Sequence, residues 1–228
     1  MAEEYLTDDE QLEAVKHLVV EYAPWLIGGL LVGAAVFFGM RYFASYTNER
    51  ALKAAAEFGA MTAALQANDH TRSRQIADAL IKDFACSPYA DQAQLTLARL
   101  DVDDGQLDKA IEPLTHVMSD SKDTQLRQIA RLRLARILTD QGKSDEAIKT
   151  LAEPMPPAFA ARYHEVRGDA YFSNKDIPRA VTEYQAALGA ANASGVNASL
   201  LELKIQDLGA APAPISKAVP DTLNKAKP

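Results

Sequence analysis

GQLDKAIEPLTHV (residues 105–117), GKSDEAIKTLAEP (142–154) and KDIPRAVTEYQAA (175–187) are three versions of one pattern. Each places an alanine at the same point, Ala110, Ala147 and Ala180, and a bulky residue four positions later, Leu114, Leu151 and Tyr184. The alanines stand 37 and 33 residues apart, a period that belongs to helix-turn-helix repeats. One unit upstream, SRQIADALIKDFA puts Ala77 33 residues before Ala110 and brings Ile81 into register with Leu114. The pattern therefore predicts four helical units, the first degenerate.

Punctuation between the units agrees. Ser87-Pro88 reads as a cap followed by a first-turn proline, Gly105 and Gly142 as turns, and Asp176 with Pro178 as another helix start. Between these points the chain is rich in Ala, Leu, Gln, Arg, Asp and Lys and lacks the alternation of a strand. SLLELKIQDL (199–208) predicts a terminal helix covering the end of the stack, because an array of repeats otherwise exposes its last apolar face. From Gly209 on, too few large apolar residues remain to offset the ordering entropy, which predicts a disordered tail over 209–228.

These residues resemble the tetratricopeptide repeat. That pattern asks for a small residue midway along the first helix, here Ala98, Ala135 and Gly168, a turn, and the alanine and bulky pair of the second helix. Small residues let two helices cross closely, and the bulky one fills the groove of the next unit. Gln94, Arg131 and His164 occupy the position where that family carries tryptophan, so the units are irregular members.

Upstream of the repeats, YAPWLIGGLLVGAAVFFGM (22–40) contains no charged residue. At about 1.5 Å per residue its helical length nearly matches a ~30 Å hydrocarbon core. Tyr22 and Trp25 at one end, and Tyr42, Phe43 and Tyr46 at the other, suit the headgroup level. The acidic preceding segment and the length of the run argue against a cleaved signal peptide. EQLEAVKHLVVEY, with Leu12, Val15, Val19 and Tyr22 at helical spacing, reads as an extension of the same helix. Gly29 and Gly33 form a GxxxG that could admit a second helix.

The predicted organisation is an all-α chain. It comprises an acidic head (1–21), a transmembrane helix (22–43), a tetratricopeptide-like repeat domain of about four hairpins plus a cap (44–208) and the tail. Of the net charge of −7, −6 falls within residues 1–40 and −1 within 41–228. A nearly neutral repeat domain offers no stripe to collect phosphates, which speaks against nucleic acid. Cys86 is the only cysteine, which excludes an internal disulfide, and it is expected to pack as a small apolar residue.

No catalytic constellation emerges. His17, His70, His116 and His164 are 46 to 53 residues apart and none has a partner at ligand spacing. There is no GxxxxGK or GxGxxG, and no cofactor or metal is expected. LRQIARLRLAR (126–136) carries four arginines, read as a solvated face paired with acids on neighbouring helices. Arg131, His164 and Tyr171 are the candidate groove residues for protein binding. Lys16 precedes the apolar run while Arg41, Arg50 and Lys53 follow it, a count that by itself puts the large domain in the cytoplasm.

The order of parts resembles the YfgM-like family, the ancillary subunit of the bacterial Sec translocon. The resemblance is carried by DEQLEAVK in the head, the apolar run, RYFASYTNERALKAAAEF, LARLDVDDGQLDKAI, RLRLARILTDQGKSDEAIKTL, VRGDAYFSNKD and LLELKIQDL, over residues 8–208. Two features depart from that family's pattern: His17-Leu18-Val19 stands where aromatics are expected, and EYAPWL lacks a basic residue before the run. What the resemblance implies is a single-pass inner-membrane protein, embedded in membrane lipid, with its head in the cytoplasm and its repeat domain in the periplasm. It further implies a non-enzymatic module that links the translocon to secretory polypeptides and to a membrane-anchored periplasmic chaperone of the peptidyl-prolyl isomerase-like type. The charge count favours an alternative, a membrane scaffold or adaptor facing the cytoplasm.

Overall fold

The computed structural model describes residues 8–153, 156–191 and 196–211. The tail beyond residue 211 and the first seven residues of the head lie outside them. Among the described residues every regular element is a helix: α1 (Asp8–Gln66), α2 (His70–Asp83), α3 (Pro88–Asp103), α4 (Leu107–Asp120), α5 (Thr124–Asp140), α6 (Ser144–Thr150), α7 (Ala160–Ser173), α8 (Ile177–Ala190) and α9 (Ala198–Asp207), with a short 3₁₀ turn at Pro157–Phe159 ahead of α7. The chain divides into two compact units, one up to Ala55 and one from Ala56 onward. Helix α1 runs unbroken for 59 residues through both expected boundaries, at 21/22 and 43/44.

In the first unit α1 carries an apolar surface whose described residues are exposed. From Ile27 to Phe43 every residue is exposed except Ala34, which is half-buried. Phe37 is 63% and Met40 69% exposed. A core helix of a soluble protein would be covered, and this stretch, near the N-terminus, is long and apolar enough to cross a membrane.

The second unit is built by caps and small residues. Asp69, Ser87, Asp123, Asp176 and Asn197 each accept a backbone N–H in the first turn of the helix that follows, at 2.7 to 3.3 Å, satisfying donors that a helix start leaves open. Helix ends show a recurring device as well. The amides of Asp69, Gln106, Lys143, Asp176 and Ala210 reach back five residues to the carbonyls of Ala64, Asp101, Leu138, Tyr171 and Ile205. The residue before each takes a left-handed conformation: Asn68, Gly105, Gly142, Lys175 and Gly209, with φ between 57° and 75°. The ends of α1, α3, α5, α7 and α9 are thus one motif repeated. It marks the last turns of α1 as the first helix of unit one and α9 as a first helix without a partner.

Consecutive helices pack as hairpins, α3 on α4, α5 on α6 and α7 on α8, and the first helices of successive hairpins also meet, α3 with α5 and α5 with α7. The aligned small residues occupy the crossings: Ala77, Ala110, Ala147 and Ala180 are fully buried, as are Ala98 and Ala135. Leu114, Leu151 and Tyr184 fill the core beside them, and Leu80 is the buried aliphatic of the first helical repeat, with Ile81 only half-buried. Arg74 ties α2 to α3 by reaching Asp101 at 2.6 Å and Asp104 at 2.7 Å. The predicted cap is present as α9, which buries Leu201 and Ile205 against α8. Cys86 departs from expectation: it sits exposed in the turn between α2 and α3, outside the packed faces.

At Gly168 two helices approach too closely for a side chain. A Cβ there would stand 2.6 Å from the Tyr184 ring, which is buried and donates its hydroxyl to Asp169 at 2.7 Å. Replacing Gly168→Ala is expected to destabilise the α7–α8 hairpin by about 1–3 kcal/mol through overpacking. Urea unfolding of the full-length protein in detergent measures this; a stability equal to the parent would mean the crossing is looser than described.

Candidate binding groove

First helices of successive hairpins leave a furrow between them, and between α3 and α5 it deepens into a cavity of ≈ 330 Å³. Its walls follow from helical spacing. Ala98 and Ile137, both buried, keep the two helices close, Leu114 of α4 closes the bottom, and Val102 forms an apolar lip that is 40% exposed. Three arginines and one acid stand on the rim: Arg99 one position beyond Ala98 on α3, and Arg133, Arg136 and Asp140 at spacings of three and four on α5.

The rim arginines are weakly engaged. Arg99 stands 3.6 Å from Asp103 in an exposed pair that contributes little, and Arg136 lies 3.9 Å from Glu165, at the outer limit of an ion pair and sharing that acid with Arg162 and Lys204. Among the described residues Arg133 reaches no carboxylate, and its Nη1 donates to the Leu95 carbonyl at 3.3 Å. Desolvation by the groove walls, then the like charges of Arg99 and Arg136, push its pKa down from the usual arginine value. The guanidinium remains cationic at neutral pH, so this is a positive charge to which no described residue brings a counter-charge, held over an apolar cavity.

Past Arg136 the positive field ends. Glu165, buried on α7, is faced by Arg136, Arg162 and Lys204 at 3.7 to 3.9 Å, and Lys204 of α9 also holds Asp169 at 2.6 Å. Charges there are matched within the chain. Arg133, in the α3–α5 furrow, has no such acidic match among the described residues.

The structure separates the three candidate groove residues. Arg131 lines a different, polar pocket of ≈ 410 Å³ with Arg127, Gln128 and Met118, where it is buried and paired with Glu153. Gln128 at its base accepts the hydroxyl of buried Tyr163, whose pKa burial pushes up. His164 turns to α8, its Nδ1 2.8 Å from Glu183, which Arg167 also reaches at 3.0 Å. Burial opposes ionisation of Glu183, but the bonds from His164 and Arg167 outweigh it and hold its pKa below the usual carboxylate value. Tyr171 lies under Arg179 of α8, 4.6 Å from guanidinium to ring centre. Neither His164 nor Tyr171 lines the α3–α5 cavity.

The arginine run 126–136 also divides. Arg136, partly exposed, has an acidic partner on α7 as the solvated-face reading expects, Arg131 has one but is buried, Arg127 hydrogen-bonds Thr124 at 3.2 Å, and Arg133 is left to the groove. Of the groove residues only the pair Arg99 and Arg136 had a signal in the sequence, each following the small residue of its first helix, Ala98 and Ala135; Arg133 and Val102 had none. Among the described residues no group of three His, Cys, Asp or Glu is placed to hold a metal ion.

Because His164 and Glu183 bind each other, their replacement should act on stability. His164→Ala and Glu183→Gln are each expected to cost about 1.5–3 kcal/mol, and the double replacement less than their sum. Denaturant unfolding of the four proteins of that cycle is the measurement, and strictly additive losses would contradict the pairing.

A family model for a tetratricopeptide repeat-like domain matches residues 16–210. No curated protein and no solved structure matches the chain.

Proposed function

The chain belongs to the tetratricopeptide repeat-like domain family, and from that premise we propose that it is a non-enzymatic, membrane-anchored module for binding other polypeptides. One observation carries the reading: the matched repeats leave an apolar furrow rimmed by arginines that no described residue fills. Domains of this family are generally interaction modules without catalysis. Four features argue for an anchor, namely the length of α1, its uncharged run, its aromatic ends and its uncovered apolar surface.

The finer reading is that of a YfgM-like ancillary subunit of the Sec translocon. In this reading the head is cytoplasmic, the repeats face the periplasm, and the partners are secretory chains and a membrane-anchored chaperone of the peptidyl-prolyl isomerase-like type. Its support is the order of sequence blocks over residues 8–208. Tethering is the mechanism: confinement beside a channel exit raises effective concentration, so weak groove contacts suffice. The opposite orientation, an adaptor facing the cytoplasm, is favoured by Arg41, Arg50 and Lys53 after the apolar run.

Two measurements test the proposal. A reporter fused after Leu208 is expected to be active only in the periplasm, and a cytoplasmic signal would replace the first orientation with the second. Photocrosslinking in membranes, from positions spread over α3 to α9, is expected to capture translocon subunits and secretory chains. It is repeated with Arg131, His164 and Tyr171 replaced. Absence of polypeptide crosslinks from every repeat position would contradict the binding-module reading.

A further inference from the structure

The α3–α5 furrow carries a chemical preference. Its cavity of ≈ 330 Å³ is ample for one leucine or phenylalanine side chain and has apolar walls in Ala98, Leu114, Ile137 and Val102. Above it stand three guanidiniums and one carboxylate. Of the guanidiniums, Arg133 has no acidic partner among the described residues and is destabilised as a cation by its setting, while Arg99 has only a long, exposed contact to Asp103 and Arg136 a 3.9 Å contact to buried Glu165, which Arg162 and Lys204 share. A carboxylate laid on Arg133 would supply the counter-charge it lacks, in the two-pronged geometry guanidinium favours. A lysine or arginine brought to the same place would meet three like charges. Asp140, one turn beyond Arg136, bars acid from that end of the rim and so gives the furrow a polarity along α5.

We infer that the furrow between α3 and α5 recognises an acidic segment of a partner polypeptide, seating one large apolar side chain in the cavity with flanking carboxylates on Arg133, Arg136 and Arg99. The inference rests on the binding-module reading and names the chemistry of its partner. Charge complementarity selects the occupant. The apolar seat supplies affinity, and the rim arginines supply discrimination and a salt-dependent encounter rate.

The test is fluorescence anisotropy with the full-length protein in detergent micelles and three labelled peptides: Gly-Asp-Glu-Leu-Asp-Gly, Gly-Lys-Lys-Leu-Lys-Gly, and Gly-Asp-Glu-Ser-Asp-Gly. The acidic leucine peptide is expected to bind, with affinity falling as salt rises. The basic peptide should not bind, and loss of the leucine should weaken binding by roughly tenfold, as expected for removing one buried aliphatic side chain. Arg133→Gln is expected to weaken the acidic peptide by about tenfold or more. Arg179→Gln, on α8, should leave it unchanged. Val102→Gln alters only the apolar lip, at a residue already partly in solvent, and is expected to weaken the leucine peptide while sparing the serine one. Equal binding of acidic and basic peptides, or an Arg133→Gln effect no larger than that of Arg179→Gln, overturns the inference. Should the peptides fail while crosslinks from the repeats persist in membranes, the furrow's chemistry is wrong and the binding-module reading stands. Loss of all crosslinks removes that reading itself.

Discussion

Two helices can cross closely only where neither carries a bulky side chain at the contact, and this steric constraint organises the repeat unit. Ala110, Ala147 and Ala180 meet it from the second helices, and Ala98, Ala135 and Gly168 from the first. Close crossing brings Leu114, Leu151 and Tyr184 into the core beside each joint, where each buried side chain contributes on the order of 1.5–3 kcal/mol. It also fixes the spacing of successive first helices, and hence the width of the furrow between α3 and α5. Remove the small residues and both the core and the furrow lose their dimensions.

A second constraint sets where each first helix stops. The left-handed residue and the backbone bond behind it end α1, α3, α5, α7 and α9 alike, turning the chain back without exposing carbonyls. Glycine makes this inexpensive at 105, 142 and 209. Asn68 and Lys175 adopt the same conformation at some steric cost, so the surrounding packing must impose it there. Helix α1 belongs to this scheme at its end and to a different one at its start, where an uncovered apolar surface asks for a solvent other than water.

Much of this was legible in the residues. Period, caps and alanine register predicted the hairpins, because each reflects a local rule that tertiary packing reinforces: Ser87-Pro88, Asp176 and both turn glycines sit where expected. The turn at Lys175 was not legible, since lysine carries no signal for a left-handed backbone. Groove residues were harder still. Which side of a first helix faces the furrow depends on how it rolls against its own second helix, and one residue of rotation moves a side chain by about 100°. His164, a candidate by sequence, meets Glu183 on α8, while Arg133, two residues from the candidate Arg131, lines the furrow. Likewise the exposure of Cys86 reflects a turn whose path composition does not reveal.

The central claim is that a lipid-held apolar helix carries a closely packed stack of helical hairpins. Hydroxyl-radical footprinting of the full-length protein in native membranes tests both halves at once. The account predicts that Met61 and Tyr163, buried in the stack, resist oxidation with or without membranes. Phe172, 51% exposed, should be modified in both states. Phe37 and Met40 should be shielded in membranes and become reactive once lipid is stripped away. Modification of Met40 in membranes as fast as Phe172, or ready oxidation of Met61 and Tyr163, would contradict it.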